Sequence, residues 1–268
     1  MSSPNKEDLL SEIAQFLADE QEMYGPFTFT AEEEDKIMSQ EKHDIENELL
    51  HNSISDSVNK STSIENPESQ KPVTLKEKLE SCQNLDQLHQ LCEESEDLRT
   101  DLQGTRLVFG VGNPNANLML IGEAPGEQED LEGEPFVGAA GQLLNKILAA
   151  IDFKREEVYI ANILKHRPPG NRNPSDEERK RSLPYLLRQI DLIQPKIILC
   201  LGKVSGTTLL DRDDSLKNLR EEFYPFRNTL LTVTYHPAAL LRNPQWKRPV
   251  WEDVQRVKKR VAELSEEH

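Results

Sequence analysis

The chain has 268 residues, 36 % of them hydrophobic and 30 % charged, with a formal net charge of −16. That length suits one substantial domain with an appendage, or two small domains. It holds no run of about 18 apolar residues for a membrane span, its opening residues MSSPNKEDLLSE lack the basic-then-apolar order of a secretory signal, and its three cysteines (Cys82, Cys92 and Cys200) exclude a disulfide framework and point to a reducing cytoplasm.

The charge is unevenly spread. Residues 1–100 hold 8 basic and 24 acidic side chains, which accounts for the whole net charge, whereas 161–260 hold 20 basic against 11 acidic. An acidic chain can therefore still offer a positive face to phosphate.

Residues 7–18 place Leu9, Leu10, Ile13, Phe16 and Leu17 on one helical stripe, which predicts an amphipathic helix for docking on its own domain, self-association or a protein partner. Residues 38–73 contain no aromatic and are rich in Ser, Asn, Glu and Lys; too little apolar surface is available to offset chain entropy, so a disordered acidic linker is expected. The chain thus divides into an acidic extension, 1–75, and a domain, 76–268. Helical patterning resumes over Val73–Glu96.

From residue 106 strand and helix alternate. RLVFGVG leads into the buried strand NLMLIG, then come the helix GQLLNKILAAI and the strand VYIANIL. A helix capped by Ser175 follows, then the strand KIILCLG, the strand LLTVTYHP and a closing helix from Pro249. This alternation predicts a three-layer α/β/α sandwich with a mainly parallel central sheet, whose ligands bind at the carboxyl ends of the strands.

Polar motifs stand at those ends. Gly122-Glu123-Ala124-Pro125-Gly126 is a strand exit that reads as a sharp turn or as a row of backbone N–H groups facing a ligand, with carboxylates following at Glu127, Glu129 and Asp130. Phe136, between Pro135 and Gly138, is either core or a stacking surface for a planar base. Asn162 interrupts an apolar strand, as a structural tie or as a carboxamide that pairs with a pyrimidine edge. His236, before Pro237, is a structural histidine or a donor at a strand exit, and Leu241-Arg242 suits wedging into a base stack beside phosphate. The loop carrying Lys165, Arg167, Asn171 and Arg172 is solvated charge or a phosphate contact. Gly110-Val111-Gly112 lacks the third glycine and the following helix of a dinucleotide fingerprint.

Taken in order, VFGVGNPNANLMLIGEAPGEQEDLEGEPFVGAAGQLL, YIANILKHRPPGNRNP and TYHPAALLRNP resemble the uracil-DNA glycosylase superfamily, and within it the family 4 bacterial and archaeal enzymes, over residues 85–260. The resemblance implies hydrolysis of the N-glycosidic bond of deoxyuridine in DNA, single- or double-stranded, by base flipping, as a step of base-excision repair. It implies that Gly122, Ala124, Phe136 and Asn162 hold uracil and that His236 stabilises the leaving base. The superfamily's better-understood members carry Asp where Ala124 stands, so the resemblance implies that Glu123, with Glu129 as second choice, would orient water or stabilise the oxocarbenium-like sugar. Lys165, Arg167, Asn171, Arg172, Leu241 and Arg242 would meet DNA. Family 4 enzymes typically hold a [4Fe–4S] cluster on four cysteines; the corresponding positions here read Gln90, Glu93, His166 and Ser182, so thiolate ligation is missing and neither cluster nor other cofactor is expected. A monomer is the default. Two other readings stay open: a glycosylase of shifted base specificity, and a non-catalytic DNA-binding module.

Overall fold

The structure, a computed structural model, describes residues 74–266. The expected helix at 7–18 and the linker at 38–73 lie outside them.

Two short helices come first. Helix α1 (Leu75–Ser81) is capped by Thr74, whose hydroxyl accepts from the Glu77 amide while the Glu77 carboxylate returns to the Thr74 amide. Asn84 caps α2 (Leu85–Glu93). They are followed by β1 (Val111–Gly112), β2 (Leu118–Gly122), α3 (Glu127–Glu132), α4 (Ala139–Ala150) and β3 (Tyr159–Asn162). The second half contains α5 (Asp176–Ile193), β4 (Ile197–Leu201), α6 (Lys203–Leu210) and α7 (Leu216–Leu219), then β5 (Tyr224–Phe226), β6 (Thr229–Thr234), α8 (Pro237–Arg242) and α9 (Lys247–Glu266).

The six strands form one sheet in the order β1-β3-β2-β4-β6-β5. The central four are parallel, and the two edge strands pair antiparallel. Every residue of β2, β3 and β4 is buried, as strands covered on both faces must be. The pleat sorts their side chains. Leu118, Leu120, Ile160, Ile197 and Leu199 pack with α4, α8 and α9 on one face. Met119, Ile121, Ala161, Ile198 and Cys200 pack with α5, α6 and α7 on the other. The expected three-layer sandwich is therefore present. A third, smaller apolar cluster joins α1 and α2 to the outside of α5 through Tyr185, whose hydroxyl donates to Ser95 Oγ at 2.9 Å.

No helix among the described residues is long and apolar enough to cross a membrane. The Gly110–Gly112 segment runs into β1 and a turn rather than a helix, which removes the dinucleotide reading.

One ionic knot ties the end of β6 to the closing helix. Asp253, 2 % exposed, accepts from Arg220 Nε at 2.7 Å and Nη2 at 2.9 Å, from Thr234 Oγ1 at 2.6 Å and from Arg256. The Arg220 guanidinium lies 4.8 Å from the Tyr235 ring, which stacks on Trp246 at 4.6 Å. Removing one member of a buried pair strands the other charge. Asp253→Ala should therefore cost about 3–5 kcal/mol, read as a lower denaturant midpoint at unchanged slope, whereas the paired Arg220→Met/Asp253→Leu change should recover most of that loss.

Candidate active site

β2 and β3 end side by side, with Gly122 opposite Asn162 in the parallel register. The sheet continues for one more step, as the Ile163 amide donates to the Gly122 carbonyl and the Leu164 amide to that of Glu123, both at 3.0 Å. A Cβ on Gly122 would stand 2.3 Å from Asn162 Oδ1 and 2.6 Å from Phe136 Cζ. Glycine is required here by close approach rather than by backbone angle.

The strand ends open into a cleft of about 390 Å³, bordered by Glu123–Gly126, Glu129, Phe136, Asn162, His236 and Arg242. Asn162 is 1 % exposed, and neither its Oδ1 nor its Nδ2 has a hydrogen-bond partner. A buried carboxamide without partners costs several kcal/mol, a cost the surrounding strand ends sustain.

Phe136 supplies an aromatic wall. Its φ is 54°, left-handed backbone that costs a bulky residue about 1–3 kcal/mol. Helix α4 approaches so closely that a Cβ on Gly141 would lie 1.9 Å from the Phe136 carbonyl oxygen. The amides of Val137 and Gly138 both donate to Glu129 Oε1 at 3.0 Å, and the Gly126 amide donates to its Oε2 at 3.1 Å. Glu129 thus borders the cleft but spends its carboxylate fastening the loop, which corrects the second-choice role as water activator. Glu123, the other carboxyl at the cleft, is half-buried, with its proton affinity raised by burial and moderated by the Arg179 charge.

His236 caps α8. Its Nδ1 accepts from the Ala238 amide at 3.1 Å, so the neutral ring carries its proton on Nε2. Burial, helped by the positive charge of Arg242 and opposed by Glu129, pushes its pKa down to about 4. Its ring lies 5.5 Å from that of Phe136, inclined by 30°. The site therefore combines an aromatic wall, an unpartnered carboxamide, a neutral N–H donor and a proton-hungry carboxylate.

The family profile described as the Uracil DNA glycosylase superfamily matches residues 109–255, which span all four of these groups. The chain belongs to the uracil-DNA glycosylase superfamily. It is 41 % identical to the Type-4 uracil-DNA glycosylase of Archaeoglobus fulgidus over 161 residues, covering 57 % of this chain and 81 % of that enzyme. The Saccharolobus solfataricus enzyme of the same name is 43 % identical over 58 % of this chain and 76 % of its own length. That of Thermotoga maritima is 38 % identical over 59 % and 84 %.

For a member of this superfamily the rim should face DNA, and here the structure departs from several expectations. Lys165 is wholly buried and donates to the Phe109 carbonyl at 3.0 Å, the Asn162 carbonyl at 3.0 Å and Gln189 Oε1 at 2.6 Å, with burial lowering its pKa to about 7. It cannot touch phosphate; it braces the strand end that carries Asn162. Leu241 is half-buried against the core, not presented as a wedge. Arg172 reaches the cleft but forks onto Glu178 at 2.7 and 2.9 Å, which holds that carboxyl down at about 2. Arg167 is engaged by Asn171 at 2.7 Å and Glu127 at 3.7 Å. Asn171 and Arg242 remain at the rim, Arg242 exposed. Ala140, Asn173 and Ala238 also border the cleft, unnoticed in the sequence because none is chemically distinctive; their position beside the motifs was the available signal.

The residues at the cluster positions do not fit a thiolate-held iron–sulfur cluster. Gln90 and Glu93 are exposed on α2. His166 Nδ1 is 3.0 Å from the Thr105 hydroxyl, and Ser182 Oγ donates to the Ile163 carbonyl at 2.7 Å. No group of three or more His, Cys, Asp or Glu poised to hold a metal occurs among the described residues.

The folded-state pKa of His236, about 4, lies below its ordinary 6.5, so the unfolded chain binds the extra proton first as pH falls. The stability linked to this group is complete above pH 6.5 and is lost as pH falls toward 4. Nitrogen-15 NMR should find His236 neutral and Nε2-protonated from pH 5.5 upward, about 1.5 units above that pKa, and His236→Gln should flatten the stability profile over the same interval.

Proposed function

We infer that this protein is a uracil-DNA glycosylase: it hydrolyses the N-glycosidic bond of deoxyuridine in DNA, releasing uracil and leaving an abasic site. The observation that carries the reading is the Asn162 carboxamide, buried with both its donor and its acceptor unpartnered at the floor of a cleft. Uracil offers adjacent N3–H and O4 groups that satisfy such an edge, and the relatives' names assign them this substrate. A base within the duplex cannot reach this floor, so the nucleotide must flip outward.

In this reading Phe136 stacks on the base and Asn162 pairs with its N3 and O4. As the C1′–N1 bond breaks, its electron pair passes to the uracil ring, and the Nε2–H of His236 donates to O2. A neutral donor suits this task because it stabilises developing charge without first having to give up a proton. Glu123 orients water toward C1′ and takes its proton as the C1′–O bond forms. The exposed Arg242 and the Asn171 loop hold flanking phosphate. We place no iron–sulfur cluster in the protein, because the side chains at those positions are an exposed amide, an exposed carboxylate and two groups already hydrogen-bonded within the fold. We also propose that it acts beside DNA in the cytoplasm.

The test is strand cleavage of labelled oligonucleotides bearing one uracil, in EDTA with alkaline workup, beside thymine and cytosine controls. Cleavage at uracil alone is expected, and none at any base would sink the reading. Asn162→Ala and His236→Ala should each lower kcat by about 10²–10³ while leaving DNA affinity within about threefold. The purified protein should be colourless, with iron and acid-labile sulfide far below one cluster per chain.

A further inference from the structure

Phe136 is held in a backbone conformation that its side chain resists, with φ 54° and the ring 5 % exposed. Left alone, such a residue relaxes to negative φ and its ring swings away. After Phe136, the next two amides are pinned by Glu129. The peptide before it is pinned from elsewhere in the chain. Arg155, on the 3-10 turn Arg155–Glu157 ahead of β3, donates through Nη2 to the Pro135 carbonyl at 2.5 Å and through Nη1 to Asn145 Oδ1 on α4 at 3.1 Å. It is half-buried and absent from the lining of the cleft.

We propose that Arg155 is a positioning residue for base recognition: its fork, anchored on Asn145, sets the Pro135–Phe136 peptide plane and hence the face against which the flipped base stacks. A planar guanidinium presents its two Nη groups in a fixed fork to acceptors on two different segments, a geometry that an ammonium on the same backbone position does not reproduce. Burial lowers the Arg155 pKa, and the nearby carboxylates of Glu134 and Glu129 oppose that shift. The fork ends on the carbonyl directly before the strained aromatic, whose own residue lines the cleft. The proposal rests on reading Phe136 as the base platform.

Free uracil is the probe, as a product inhibitor of the full-length enzyme, alongside kcat/KM on a single-uracil oligonucleotide. Arg155→Met should weaken uracil inhibition about tenfold and lower kcat/KM by a similar factor. Arg155→Lys and Asn145→Ala should shift both in the same direction by less. Added to Phe136→Ala, Arg155→Met should change neither further, since the group through which it acts is gone. An equal loss in both backgrounds would mean a general structural role and overturn the proposal, as would unchanged uracil inhibition in the Arg155→Met single variant. If Arg155→Met does not fold, Arg155→Lys and Asn145→Ala carry the same cycle. Phe136→Ala alone tests the underlying reading: wild-type inhibition and turnover there would remove the platform, and the proposal with it, without reference to Arg155.

Discussion

Two parallel strands that end at the same level, with no room for a Cβ between them, set everything else in this molecule. Gly122 faces Asn162 across that gap, and the Phe136 ring fills the space that a side chain on Gly122 would need. The floor of the cleft is therefore an extension of the sheet itself, as rigid as the hydrogen bonds that run one step past the strands. A carboxamide mounted on such a floor loses little entropy when it meets a ligand, because its freedom was surrendered on folding. The unpartnered Asn162 heteroatoms are the local cost of that arrangement, and the buried strand cores supply the stability that tolerates it.

The supports around the floor are electrostatic but point inward. Lys165, Glu129 and Arg155 are ionisable residues around the cleft, yet each directs at least half of its hydrogen bonds at backbone carbonyls or amides. They convert loops into fixed walls. Charge-assisted bonds to backbone are stronger than neutral ones and define direction, so few are needed to hold a strained phenylalanine and the end of a strand. What stays exposed at the rim is a small set that includes Asn171 and Arg242.

Much of this could be read from the residues. NLMLIG, VYIANIL and KIILCLG are apolar runs, the pattern of parallel strands covered on both faces, and the pocket lies at the ends of the first two. The two edge strands escaped notice because β1 has two residues and β5 three, too short for alternation to register. Lys165 misled for a different reason: within KHRPPGNR it reads as one more loop charge, and its burial depends on acceptors from Phe109, Asn162 and Gln189, which no local pattern links. The same holds for Glu129, whose partners lie eight and nine residues onward across a turn. Leu241 looked like a wedge because it sits beside a basic residue, whereas its helical phase turns it to the core.

The groups that meet in the cleft come from distant stretches of chain: the exit of β2, the loop before α4, the exit of β3 and the cap of α8. None touches another until strands far apart in sequence have paired, and closing such loops is the slow part of building a parallel sheet. Helices can form and an apolar core can collapse before the floor exists. Recovery of catalytic competence after dilution from denaturant thus marks completion of the sheet, later than the return of helical signal.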